Sequence, residues 1–278
     1  MVSNSIKKEI LTDFYNVKRI AVLYICTGKY SVFWDEFFSS AQKNFLQGHK
    51  KHFFVFTDND KLRQRQDFDV TFIELKKLGW PLDTLYRFKF FLTIEEDLKN
   101  YDYVYYINAN AMIVSEIGDE IFPDPFSLIG CQHPCFYNKN LEEYIYDRNP
   151  DSLSFISSGE GKDYVMGAFI GGKSKAFVKM CQQLNINIDR DYNKNIIAIW
   201  HDESHYNNYL LSNSYKLLSP SYVYPEEMSI PFLPKILLRD KNKYGGHNKL
   251  RGIKNETFIV NFLKGFINKI KSIFLDNS

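Results

Sequence analysis

The segment Trp200-His201-Asp202-Glu203-Ser204-His205 concentrates more chemistry than any other stretch of the 278 residues. An indole stands next to two adjacent carboxylates. Tryptophan packs against the apolar face of a sugar, while Asp and Glu bond its hydroxyls or act on its anomeric carbon. Two other readings compete. His201 and His205 are four apart and on a helix would share a face. A zinc protease helix needs H-E-x-x-H, however, and here the Glu is third rather than second, so that reading fails. Asp and Glu are also favoured at any helix N-terminus, so the cluster equally reads as an ordinary charged helix start.

A second group of candidates lies where strands end. Ile107-Asn108-Ala109-Asn110-Ala111 abruptly closes the aromatic run from Tyr103 to Tyr106. Ligands of open α/β sheets bind beyond the carboxyl ends of strands. Asn can bond ribose or phosphate oxygens, but it is a poor sole anchor for a divalent cation. The Cys26-to-Tyr30 loop is a candidate nucleotide edge, with Tyr30 able to stack on a base; it carries no G-x-G-x-x-G. Arg87, inside an otherwise apolar segment, is either a surface Arg with a buried stem or a fixed cation near a phosphate or an acid. Cys131 and Cys135 flank His133, which falls short of a zinc ligand set; the four cysteines read as reduced thiols. Gly167 and Gly171-Gly172 permit close backbone approach.

The elements that must position these groups alternate. Val17–Thr27 and Lys51–Thr57 read as buried strands, as do Val70–Leu75 and Tyr103–Ile107. Between them, Ser31–Gln47 has helical spacing with Ser31 as N-cap, and Leu82–Leu92 reads as a helix after Pro81. Helices are also expected from about Ser174 to Leu184 and from Asp202 to Leu211. This alternation argues for a Rossmann-like α/β layer. Hydrophobic residues at 45% and charged residues at 24% are those of a globular protein. A net charge of +2 is too balanced for a nucleic-acid binder, and none is expected as a partner. The N-terminus lacks a signal-peptide core and no run is clean enough to span a bilayer, so a cytoplasmic location is expected. Residues Phe258–Leu275 read as a basic amphipathic helix, which either docks on the core or lies peripherally on the inner membrane face.

Six segments, WPLDTLYRFKFF, DYVYYINANAMIV, GCQHPCFY, YVMGAFIGGKSKAF, WHDESHYNNYLL and LSPSYVYPEE, occur in this order. Together they resemble glycosyltransferase family 6, which includes the ABO blood-group transferases, the α1,3-galactosyltransferases and shorter bacterial relatives. The resemblance implies a GT-A fold, with a Rossmann-like UDP-binding half (18–115) and an acceptor half (116–255) around one central sheet. Residues 1–17 would be an N-terminal extension and 256–278 the amphipathic helix. It implies retaining transfer of galactose or N-acetylgalactosamine from UDP to O3 of a galactose-type, fucosylated acceptor, in a blood-group-like glycan or lipopolysaccharide. A UDP-sugar hydrolase and a non-catalytic carbohydrate-binding relative are the alternatives.

By the same resemblance, Thr27 and Tyr30 meet the uridine and Arg87 the donor phosphate or sugar. Met166 and Ala168 line the donor-sugar pocket, and His133, Trp200 and Asp202 hold the acceptor. Glu203 is the catalytic carboxylate, as nucleophile or as stabiliser of an oxocarbenium-like transition state. Asn108 and Asn110 stand where vertebrate members carry the metal-gripping Asp-Xaa-Asp, so no divalent cation is expected as cofactor. Lys241, Lys243 and Arg251 lie in the family's C-terminal closing segment and are expected to replace it over the diphosphate. Met166-Gly167-Ala168 matches the galactose-using blood-group B enzyme, yet one methylene discriminates by only about 1–3 kcal/mol, so both donor sugars stay open.

Overall fold

The computed structural model describes residues 17–253. The expected extension before Val17 and the amphipathic helix at 256–278 lie outside the described residues. The labelled elements run β1 (Arg19–Ile25), α1 (Trp34–Asn44), β2 (Lys50–Thr57), β3 (Val70–Glu74), α2 (Arg87–Leu92), β4 (Tyr103–Ile107) and β5 (Ala111–Ile113). They continue through β6 (Leu128–Gln132), β7 (Val165–Lys173), α3 (Ser174–Asn193), α4 (Asp202–Leu211), β8 (Tyr215–Leu218), β9 (Tyr224–Pro225), β10 (Ile236–Leu238) and α5 (Gly246–Leu250).

Seven strands form the main sheet in the order β3-β2-β1-β4-β7-β6-β8. The first four strands pair in parallel; β1, β2 and β4 carry the apolar runs of covered strands, and β3 closes the edge with Thr71 and Glu74 exposed. Along β1 the side chains alternate: Ile20, Val22 and Tyr24 enter one core cluster with Trp34 and Phe37 of α1, while Ala21 and Leu23 enter a second with Phe88, Phe91 and Phe177. The aromatic run of β4 divides likewise, Tyr105 to the first cluster and Tyr106 to the second. At β7 the sheet turns antiparallel on both sides. A Cβ at Gly171 would fall 2.3 Å from the Tyr105 ring and 2.6 Å from the Val104 carbonyl. Glycine there is what lets β7 approach β4. A second sheet, β5-β10-β9, hangs beyond the Asn108–Asn110 loop.

Three expectations are corrected. Ser31 does not cap α1: a 3₁₀ turn over Gly28–Phe33 comes first, and the Ser31 hydroxyl accepts from Asn59 Nδ2 at 2.9 Å instead. The 82–92 segment is two short helical pieces broken at Tyr86, so Arg87 opens α2 rather than sitting mid-helix. The helix from Ser174 runs nine residues further than its apolar pattern suggested, to Asn193. Its last turn is tied down by Asp191, which accepts from Leu153 N–H and the Ser152 hydroxyl, each at 2.8 Å. Among the described residues no helix is long and apolar enough to cross a membrane.

Candidate active site

Three charged side chains converge on Gly167 of β7. A Cβ built there would stand 3.5 Å from Asp202 Oδ2, 3.6 Å from Glu203 Oε2 and 3.7 Å from Arg87 Nη1. Arg87 Nη1–H donates to the Gly167 carbonyl at 2.6 Å, and Gly167 N–H donates to Glu203 Oε2 at 2.8 Å. Arg87 Nε lies 2.9 Å from Asp202 Oδ2 as an ion-pair contact, off the line of the N–H, and the guanidinium covers the Tyr106 ring at 4.7 Å. Arg87 is therefore the buried, fixed cation of the two readings.

The two carboxylates reach this point because of how α4 begins. His201 precedes the helix with φ +56° and ψ −125°, a strained conformation for a residue with a Cβ. The reversal leaves Trp200 43% exposed while Asp202 is only 2% exposed. Trp200 N–H donates to the Ser204 hydroxyl at 3.1 Å, which closes the turn. His201 therefore lies outside the helix and shares no face with the buried His205. Burial raises Asp202 to about 6, against the lowering pull of Arg87, and raises Glu203 to about 7, with Asp202 adding to the rise. The Gly167 and Tyr164 hydrogen bonds and Arg87 partly offset it.

Two clefts adjoin the cluster. The first, about 340 Å³, is lined by Thr27, Tyr30, Arg87, Asn108, Trp200, Lys241 and Arg251, with Lys77, Trp80 and His201 added. Four cations against one lining carboxylate, Asp83, suit a polyanionic ligand. Arg251 lies over the Trp80 ring at 4.7 Å and is hydrogen-bonded to Tyr30. Lys77 Nζ donates to the Arg251 carbonyl. Gly28, with φ +62°, lets this segment close in, since a Cβ there would sit 2.9 Å from the Leu250 carbonyl. Burial, with Arg251 and Arg87 nearby, lowers Lys241 to about 8. Among the described residues it forms no ion pair within 4 Å.

The second cleft, about 230 Å³, is lined by Asn108, Asn110, His133, Cys135, Met166, Glu227 and Lys241 among others. The two clefts share Asn108 and Lys241. His133 Nδ1 accepts from Cys135 N–H at 3.1 Å, which leaves the ring proton on Nε2, and burial lowers its pKa to about 4. A larger depression, about 810 Å³ along Gly159–Asp163 and Leu211–Tyr215, holds none of the residues expected at the site.

Not every expected residue lines a cleft. Lys243 is exposed, paired with Glu226 at 2.7 Å, and lines neither cleft. Ala168 is buried in the core, its carbonyl accepting from Asn108 N–H at 2.9 Å. Asp202 and Glu203 stand behind the lining, next to Arg87 of one cleft and to Gly167, the neighbour of Met166 in the other. The zinc reading of Cys131, His133 and Cys135 fails, because Cys131 is buried and Cys135 exposed. Among the described residues no group of three His, Cys, Asp or Glu is placed to hold a metal ion.

The family model of glycosyltransferase family 6 matches residues 1–251. The chain belongs to glycosyltransferase family 6. It is 35% identical over 232 residues to the Escherichia coli O-antigen biosynthesis glycosyltransferase WbnI, covering 84% of this chain and 99% of that protein. It is 30% identical to the Gallus gallus globoside alpha-1,3-N-acetylgalactosaminyltransferase 1, covering 80% and 67%, and 30% identical to the Rattus norvegicus histo-blood group ABO system transferase 2, covering 75% and 64%. As a family member with a seven-stranded sheet flanked by helices, it has a GT-A-like glycosyltransferase fold.

The Asn108–Asn110 loop is largely occupied with itself. Tyr106 O–H donates to Asn108 Oδ1 at 3.1 Å, Asn108 Nδ2 donates to Asn110 Oδ1 at 3.0 Å, and Asn110 Nδ2 donates to the Arg239 carbonyl at 2.7 Å. Asn110 is 4% exposed. Asn110→Asp alone is therefore expected to destabilise the protein by about 1–3 kcal/mol, because a carboxylate would face a carbonyl where an N–H now donates. Urea unfolding of the variant checks this. Sequence reasoning did not reach Lys77, Trp80 or Tyr164; Trp80 opens the WPLDTLYRFKFF segment and Tyr164 the YVMGAFIGG segment, which is where a signal for those two stood.

Proposed function

We propose that the chain is a retaining hexosyltransferase that moves galactose or N-acetylgalactosamine from UDP to O3 of a galactose-type surface glycan, without a divalent cation. The observation that carries this is Glu203, held by Gly167 N–H beside the Arg87–Asp202 pair, next to a cleft lined by four cations. The diphosphate occupies the cation-lined cleft, with the uracil near Tyr30 and Thr27. Ionised Glu203 serves the anomeric carbon. As nucleophile it forms a C1–O bond while the C1–O bond to UDP breaks, and UDP leaves with the electron pair. The acceptor O3 then attacks C1, releases Glu203 and loses its proton to solvent. As an ion-pair stabiliser Glu203 instead balances positive charge at C1 during same-face attack. Both routes need the carboxylate ionised.

Asn108 and Asn110 do not fit a divalent cation. Their oxygens already accept hydrogen bonds, and neither brings a charge. Lys241, Arg251 and Arg87 instead supply positive charge toward the leaving UDP. The relatives support the linkage and acceptor class: one is named for O-antigen biosynthesis, another for alpha-1,3-N-acetylgalactosaminyl transfer. The deciding experiment incubates the protein with UDP-galactose or UDP-N-acetylgalactosamine, a fucosylated galactoside and EDTA, with products read by mass spectrometry. Transfer in EDTA supports the proposal. UDP release only without glycan product indicates hydrolysis, and transfer abolished by EDTA overturns metal independence.

Lys241→Ala is expected to lower donor kcat/KM by roughly 10²-fold and to weaken UDP binding, as loss of one preorganised cation does. Lys243→Ala is expected to leave both within about twofold, because it removes only an exposed ion pair. Calorimetric UDP titration and initial rates separate the two.

A further inference from the structure

We propose that Tyr164 is a positioning residue for Glu203, its phenol holding the carboxylate oxygen that Gly167 leaves free. The inference rests on the reading of Glu203 as the reacting carboxylate. Gly167 N–H takes Oε2 at 2.8 Å, and Tyr164 O–H donates to Oε1 at 3.3 Å. Two donors three residues apart, Tyr164 just before β7 and Gly167 within it, thus fix both oxygens and the plane of the group. Tyr164 is 1% exposed, and among the described residues Glu203 is its hydroxyl's only hydrogen-bond partner. A phenol buried in a core needs such a partner; a Phe would serve if packing were the whole role.

The ring itself is held on several sides. Phe136 lies 4.8 Å away, Tyr146 5.3 Å, His133 5.6 Å and Tyr144 5.9 Å between centroids. Tyr146 spends its own hydroxyl on the Asp163 carbonyl at 2.7 Å, so it does not compete with Tyr164 for Glu203. His133, which lines the second cleft, touches the same ring, so this aromatic box joins that cleft to the carboxylate.

The charged and titratable groups facing Glu203 are Arg87 from α2, Asp202 from α4 itself, Tyr164 from the residue before β7 and Cys135 from the loop after β6. Burial and Asp202 oppose ionisation; Arg87, Gly167 N–H and Tyr164 favour it. Removing the phenol hydroxyl therefore leaves ionised Glu203 less favoured, and the pH needed to ionise it moves upward.

The test is the pH profile of transfer by full-length Tyr164→Phe beside wild type and Glu203→Gln. The expected result is an ascending limb about one pH unit higher, about a fivefold loss at pH 7 that is mostly regained at pH 9, and a donor KM within about twofold. Thermal unfolding from pH 6 to 9 gives a readout without activity: the midpoint of the Phe variant should keep falling at a pH where that of wild type has levelled. A loss equal at every pH, or no loss at all, with unfolding curves parallel to wild type, overturns the inference. If Glu203→Gln transfers normally, the reading of Glu203 fails instead.

Discussion

Glu203→Gln is expected to reduce transfer by on the order of 10³-fold or more, while UDP binding stays within a few-fold, as the role proposed for it at the anomeric carbon requires. The same change is expected to stabilise the protein at alkaline pH. Glu203 ionises near 7 in the fold against an ordinary value of 4.5, chiefly because it is buried. A carboxyl raised in this way costs nothing extra below about 4.5. Wild type loses stability as pH rises from there through about 7, because the folded state resists the charge that the unfolded chain accepts. Gln removes that loss and keeps an oxygen for Gly167 N–H. The variant should gain about 1–3 kcal/mol at pH 8 and little at pH 4.5, read by urea unfolding at both. For the native enzyme, transfer should rise with pH through about 7, as Glu203 loses its proton. An inactive but more stable variant would mark a carboxylate kept for reaction at the expense of folding. Normal turnover would remove Glu203 from the mechanism.

Arg87→Met is expected to be the most damaging single change to the fold, and to lower the rate as well. It strips the cation from Asp202, the Gly167 carbonyl and the Tyr106 face together. Breaking a buried pair by removing one partner costs about 3–5 kcal/mol. The sign of its pH dependence follows from Asp202, which burial already holds near 6 even with Arg87 beside it. Without Arg87 that value rises further, so the penalty relative to wild type is small where Asp202 is protonated in both folded proteins and grows as pH climbs from about 6, where wild-type Asp202 ionises. Unfolding at pH 5 and pH 8 should show the larger deficit at pH 8. Donor kcat/KM should fall by at least about 10²-fold, because Arg87 also lines the cation-lined cleft. An equal deficit at both pH values would show that Asp202 does not carry the penalty.

The parallel half of the sheet was legible because β1, β2 and β4 carry long apolar runs, and the Trp200–His205 segment because its residue types are rare together. What stayed hidden depends on contacts between distant segments. Nothing local to Ser31 shows that Asn59 will take its hydroxyl, and nothing near Asn110 shows that its amide will bond Arg239, 129 residues away. The two amides read as a ligand edge; in the fold Asn110 is first a brace between the main sheet and the small one. The apolar run continues past Arg87 and so reads as one helix, whereas the break at Tyr86 puts Arg87 at a helix start. Lys243 and Lys241 look alike in sequence, and only the fold pairs one with Glu226 and turns the other into the cleft wall.

The strained turn at His201 has a bearing on redesign. It divides one short peptide between three duties, with Trp200 turned outward, Asp202 held by Arg87 and Glu203 held by Gly167. Shifting or re-registering α4 would disturb all three together, so altered sugar preference cannot be selected there without loss of rate. Variation that retargets this scaffold has to enter through walls that neither the turn nor the aromatic box supports, such as Pro225, Glu227 and Met228 around the second cleft. Libraries confined to those segments should yield changed acceptors with the reaction intact, whereas libraries through Trp200–Glu203 should yield mostly inactive protein.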